Sequence, residues 1–132
     1  MDDKIINIIK NAIEQRFDKE QSKPFQYVVA YYTMQDKLIG YHADSFCTLT
    51  QDKESAKRYN GEDPYGQLKI IRKNLDYILD YQLKEDDTFG KITHNIKEKY
   101  YKDYKKEDIY INAEYLEEGI PSQKLVFNVI NQ

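Results

Sequence analysis

A chain of 132 residues has room for one domain built on a single core. A net charge of −3 gives neither the basic stripe of a nucleic-acid binder nor the acidic excess of a DNA mimic. One cysteine, Cys47, excludes an internal disulfide and a cysteine-based zinc site, and 14% aromatic content with thirteen tyrosines and no tryptophan argues against disorder.

In chain order, residues 2–17 read as a helix. Ile5, Ile6, Ile9, Ala12, Ile13 and Phe17 recur at three- and four-residue spacing, and Asp2 and Asp3 sit where the helix dipole favours anions. The polar run to Lys23, then Pro24, ends it. Residues 25–34 are aromatic and β-branched, as strands are, and the turn Gln35-Asp36-Lys37 leads back into a second strand over 38–42. Gly40 within that strand marks a bulge or a close backbone approach. A third strand is expected over 45–49, with Cys47 turned inward as an inert thiol. Thr50 or Asp52 then caps a short helix over 52–59.

Asn60 to Pro64 is a loop that ends as helices begin, with Asp63 as cap and Pro64 at the first position of a helix over 64–83. Leu68, Ile71, Leu75, Ile78 and Leu79 form one apolar stripe; Ile70, Tyr77 and Tyr81 form a second line on another face. A helix with two apolar faces is either sandwiched in the fold or used for a partner. Phe89, Ile92, Ile96 and Tyr100 set another helix over 89–104, interrupted early by Gly90. Ile109, Ile111, Ala113 and Tyr115 alternate with polar or outward residues across 109–116, and a loop holding Gly119 and Pro121 leads to a last strand over 124–130. The expected fold is α+β: a mainly antiparallel sheet of four or five strands covered by helices, in one domain spanning 1–132. The start lacks the layout of a signal peptide and no apolar run is long enough to span a bilayer, so the expected location is the cytoplasm, away from membranes.

Four clusters invite a chemical reading. His42 beside Asp44 has the pairing of a general base, against the simpler reading of a surface histidine at a strand end. Lys57, Arg58 and Tyr59, with Tyr65 and Arg72, could hold a nucleotide or small anionic ligand, charge on phosphate and ring on base. The glycines nearby lack the spacing of a phosphate loop, and the simpler reading leaves Lys57 and Arg58 solvated. Tyr100, Tyr101 and Tyr104 interleave with lysines, as in single-strand binders, but nearby acids cancel most of the charge, which argues against nucleic acid and for a solvated helix face. Asp103-Tyr104-Lys105, with Asp87 upstream, has the acid–any–lysine form of some metal-dependent nucleases, a form that arises by chance in a chain one-third charged. No set of nucleophile, acid, base and metal emerges, so no catalytic residue, metal or cofactor is assigned.

The hairpin Val28-Val29-Ala30-Tyr31-Tyr32 and Leu38-Ile39-Gly40-Tyr41, followed by Thr50-Gln51-Asp52-Lys53-Glu54-Ser55-Ala56-Lys57-Arg58-Tyr59 and a helix, resembles small phage and mobile-element proteins of low-GC bacteria. The likeness covers residues 27–79 and implies a family in which some members block host defence by binding a protein or a signalling nucleotide. Residues and resemblance together lead to one expectation: a non-enzymatic, phage-encoded binding protein that inhibits by occupying a partner protein's surface in the host cytoplasm. Its expected contact residues are Ile70, Tyr77, Tyr81, Tyr100, Tyr101 and Tyr104, with a homodimer through Ile70, Tyr77 and Tyr81. The alternatives are a nucleotide-sequestering pocket around Arg58 and Tyr59, and a metal-dependent nuclease.

Overall fold

Strand β1 (Gln26–Thr33) is the axis on which the molecule is built, and the composition of that strand explains why. Its β-branched and aromatic residues are buried on both faces, which only a central strand allows. The computed structural model describes residues 4–9, 25–84, 87–117 and 119–126. After a helical segment α1 (residues 4–9) come β1, β2 (Leu38–His42), β3 (Leu49–Thr50), β4 (Tyr59–Asn60), α2 (Tyr65–Asp80), α3 (Thr88–Tyr100), β5 (Ile109–Tyr115) and β6 (Gln123–Val126). The fold is α+β, and among the described residues its antiparallel sheet has six strands where four or five were expected: the order is β3-β2-β1-β5-β6, with β4 also paired to β1.

The β1–β5 ladder sets the register, from Tyr27 opposite Tyr115 to Thr33 opposite Ile109. Because strand side chains alternate, this puts Tyr27, Val29 and Tyr31 on one face with Ile109, Ile111, Ala113 and Tyr115. Helix α2 lays its predicted stripe there: Leu68, Ile71, Leu75, Ile78 and Leu79 are all buried in the same cluster, joined by Cys47, Tyr101 and Leu125. On the opposite face, the rings of Tyr32 and Tyr110 stack at 5.4 Å, and their hydroxyls donate to Glu114 and Asp36, each at 2.6 Å. Gly40 shows both features its position called for. The β1–β2 register slips between Tyr31 and Tyr32, and a Cβ at Gly40 would lie 3.1 Å from Leu49 Cβ of β3.

Two expected elements differ. The stretch 45–49 is not a strand: Asp44 accepts the Phe46 N–H at 2.9 Å, Cys47 takes a left-handed φ of 59°, and only Leu49 and Thr50 pair with β2. This turn buries Cys47 while leaving Phe46 outside. Nor is 52–59 a helix. Asp52 caps as expected, but only a 3-10 turn, Lys53–Ser55, follows, and Tyr59 and Asn60 leave it to pair with Tyr27 and Gln26. Helix α2 stops at Asp80, α3 at Tyr100, and residues 2–3, 10–17 and 127–130 of the expected terminal elements lie outside the described residues. Among the described residues, no helix is long and apolar enough to cross a membrane.

Gly90 shapes how α3 meets α2. Asp87 caps α3 by accepting the Gly90 N–H at 3.0 Å and the Tyr81 hydroxyl at 3.0 Å, and that hydroxyl fills the place where a Cβ would stand, 1.6 Å from it. Glycine to alanine inside an unobstructed helix gains about 1 kcal/mol. Here Gly90→Ala is expected to gain nothing in urea melts, because Tyr81 must leave Asp87; in a Tyr81→Ala background only part of the gain should return, since Asp87 Oδ2 still lies 2.9 Å from the new Cβ.

Candidate functional site

An apolar surface is left open where α2, α3 and the turn before β3 converge. The spacing that builds it is visible in each element. Tyr77 lies seven residues after Ile70 on the side of α2 away from the core, and Phe89, Ile92 and Ile96 fall three and four apart on α3. Phe46 is carried in by the Asp44 turn. Together Phe46, Tyr77, Ile78, Phe89, Ile92 and Ile96 line an open groove of about 200 Å³. Phe89 is 75% exposed, Tyr77 62%, Phe46 56% and Ile92 49%. Of the residues in α3 only Gly90 is buried, so this helix uses its apolar positions to shape the groove more than to fill the core. The end of α2 is held against α3 by Lys97, whose ammonium donates to the Tyr81 carbonyl at 3.0 Å, a cation at the negative end of a helix.

The residues expected to take a partner divide three ways. Ile70 and Tyr77 are exposed, with Ile70 at 56%. Tyr81, Tyr100 and Tyr104 are half-buried. Tyr101 is fully buried, its hydroxyl donating to the Cys47 carbonyl, so it holds the Cys47 turn in place from inside. Phe46 and Phe89 were missed as contact residues. Phe89 was readable as the first apolar position of α3, but the exposure of Phe46 depends on a turn that alternation cannot reveal.

The expected anion-binding set is only partly assembled. His42, Lys57 and Tyr59 come together: the Lys57 N–H bonds the His42 carbonyl at 2.9 Å, and the Lys57 ammonium lies 5.3 Å from the Tyr59 ring. The Tyr59 ring already has Tyr27 at 5.7 Å and His42 at 6.2 Å against it. Arg58 and Tyr65 are exposed, with Lys69 over the Tyr65 ring. Arg72 is 0% exposed and turned into the protein, where its guanidinium donates to the Ile109 and Lys106 carbonyls and pairs with Asp76 at 2.8 Å. The signal for this lay in the stripe: position 72 falls four residues after Leu68 and three before Leu75, on the core side.

His42 is not the surface histidine the sequence suggests; it is 1% exposed. Its Nδ1 lies 2.7 Å from the Tyr31 hydroxyl, and its Nε2 has no hydrogen-bond partner among the described residues. Burial, helped by Lys57 and opposed by Asp44, pushes its pKa down to about 4, so the ring is neutral at physiological pH. Burial also pushes the Cys47 thiol up to about 11, which keeps it protonated and a poor nucleophile. Tyr31 and Tyr101 are raised well above the usual tyrosine range by the same desolvation. These groups form a closed polar cluster that a substrate does not reach.

Of the expected nuclease residues, Asp103 and Lys105 are exposed, and both carboxylate oxygens of Asp87 are engaged in capping α3. Among the described residues, no group of three or more histidines, cysteines or acids is placed to hold a metal ion. No protein-family model, curated protein or solved structure matches this chain.

Proposed function

We propose that this chain is a binding protein that acts by laying the α2–α3 groove against a protein partner. The observation that carries this is the exposure of four large apolar side chains, Phe46, Tyr77, Phe89 and Ile92, around one concavity. Contiguous apolar patches of this kind on folded proteins mark interaction sites. The groove's volume of about 200 Å³ falls short of the 300–1,000 Å³ typical of small-ligand pockets, which favours an anchor from a macromolecule over a free metabolite. The likeness of residues 27–79 to small phage proteins directs the search to host-defence proteins of the cytoplasm, with inhibition by occupancy as the mode of action.

The test compares the wild-type chain with Phe89→Ser/Ile92→Ser as bait in a host lysate. Both positions are solvent-facing, so the variant should keep the circular dichroism of the folded chain. A partner captured by the wild type and lost by the variant supports the reading; capture indifferent to the groove would sink it. The competing nucleotide reading around Lys57, Arg58 and Tyr59 requires that some nucleotide raise the melting temperature by several degrees, through mass action on the folded state.

A further inference from the structure

We infer that the groove receives the isoleucine helix α1 of a second copy of this chain, exchanged reciprocally, so that the protein associates as a symmetric dimer. This rests on the reading of the groove as a protein-docking surface and names an occupant for it.

Two observations meet here. Within residues 4–9 every residue is exposed, including Ile5 at 50%, Ile6 at 42%, Ile8 at 62% and Ile9 at 50%. Four isoleucines in six residues, each more than two-fifths exposed, give this helix an apolar face open to a partner surface. Its anchors Ile5, Ile8 and Ile9 fall at i, i+3 and i+4, the spacing by which amphipathic helices enter apolar grooves. The groove is the matching half: apolar, open, and lined by three aromatic rings more than half exposed, Phe46 on the turn, Tyr77 on α2 and Phe89 on α3.

Area decides between a single contact and an exchanged pair. The open parts of the four groove side chains amount to on the order of 500 Å², and those of the isoleucines to on the order of 300 Å². One helix in one groove would then bury at most about 800 Å² in total, below what stable interfaces need, whereas two reciprocal seats double that ceiling to about 1,600 Å², the size of a standard interface. Reciprocity is also what a two-fold axis imposes: if one copy gives its helix, it receives the other's. A partner protein of the kind proposed above would compete with α1 for the same seat.

The experiment is sedimentation of the full chain from about 1 to 100 µM, with Ile5→Ser/Ile9→Ser and Phe89→Ser alongside. The wild type should dimerise, and each variant should weaken the dimer at least about 30-fold, the loss that marks an interface hot spot, while keeping its fold. Mixed Ile8→Cys and Ile92→Cys chains should cross-link between copies. A wild-type monomer throughout, a dimer indifferent to both variants, or an Ile8→Cys/Ile92→Cys chain that links only within itself would each overturn the exchange. If the chain is monomeric and the groove variant still loses its lysate partner, only the exchange falls. If capture is also unaffected, the docking surface falls with it.

Discussion

Arg72→Ala is expected to destabilise the fold by about 3–5 kcal/mol, enough to leave much of the chain unfolded. The guanidinium is fully buried and ties three separate pieces: α2, which carries it, the Ile109 carbonyl at the start of β5, and the Lys106 carbonyl in the turn before it. Removing it strands the buried Ile109 carbonyl, takes a donor from the part-buried Lys106 carbonyl, and leaves the Asp76 carboxylate, 17% exposed, without Arg72. Arg72→Met refills most of the volume without restoring any donor, so it should recover only the packing share of the loss. Asp76→Asn should also destabilise, because it leaves the fully buried Arg72 guanidinium without its counter-charge, although burial of the Asp76 carboxyl, which holds its pKa above the ordinary value against the pull of Arg72, offsets part of that loss. Urea midpoints of the three variants check the order. A methionine variant within 1 kcal/mol of wild type would mean that the shaft, not the charged head, holds these elements together.

Acid should unfold this protein through His42. The ring binds its proton in the folded state only near pH 4, while an unfolded histidine does so near 6.5. The contribution of the buried neutral ring is therefore complete above pH 6.5 and falls as pH drops from 6.5 to 4, about 3 kcal/mol in all. Lys57 deepens the effect and Asp44 resists it. Asp76, with its raised pKa, works in the opposite direction over part of the range, whereas the lowered Asp44 and Asp87 lose their contributions at lower pH. In His42→Gln, which can still accept from Tyr31 but does not titrate, the decline between pH 6.5 and 4 should disappear. Melting temperatures in matched buffers read this directly, and a variant that keeps the wild-type slope would remove His42 as the cause.

Helix α2 was the most legible element, because a five-residue stripe at helical spacing admits one solution and the sheet supplied the surface it needed. The strands β1, β2 and β5 followed from alternation and β-branched content for the same reason. Tyr59 defeated local reasoning: its segment has helix-compatible residues, yet two ladder positions on β1 and a stack of rings outweigh that preference. Cys47 did so too, since nothing in Ser45-Phe46-Cys47 announces a left-handed residue. For the candidate site, Tyr77 and Ile70 were readable as a second face on α2. The groove that Tyr77 lines depends on α3 leaning on α2 through Gly90 and Tyr81, a contact between elements that no single periodicity encodes. The isoleucines of residues 5–9 carried the opposite lesson: a stripe at core spacing that faces solvent.

The longest ladder in the sheet joins Thr33 to Ile109 and Tyr27 to Tyr115, positions separated by more than half the polypeptide. Closing so wide a loop costs entropy before any native burial compensates, which slows folding relative to a helical bundle of equal size. During synthesis, β1 emerges early with an unpaired edge and must wait until β5 has cleared the ribosome. Over that interval the nascent chain presents the hydrophobic strand Tyr27 to Tyr31 to its surroundings, and chaperones that hold such strands would govern how much native protein a cell obtains.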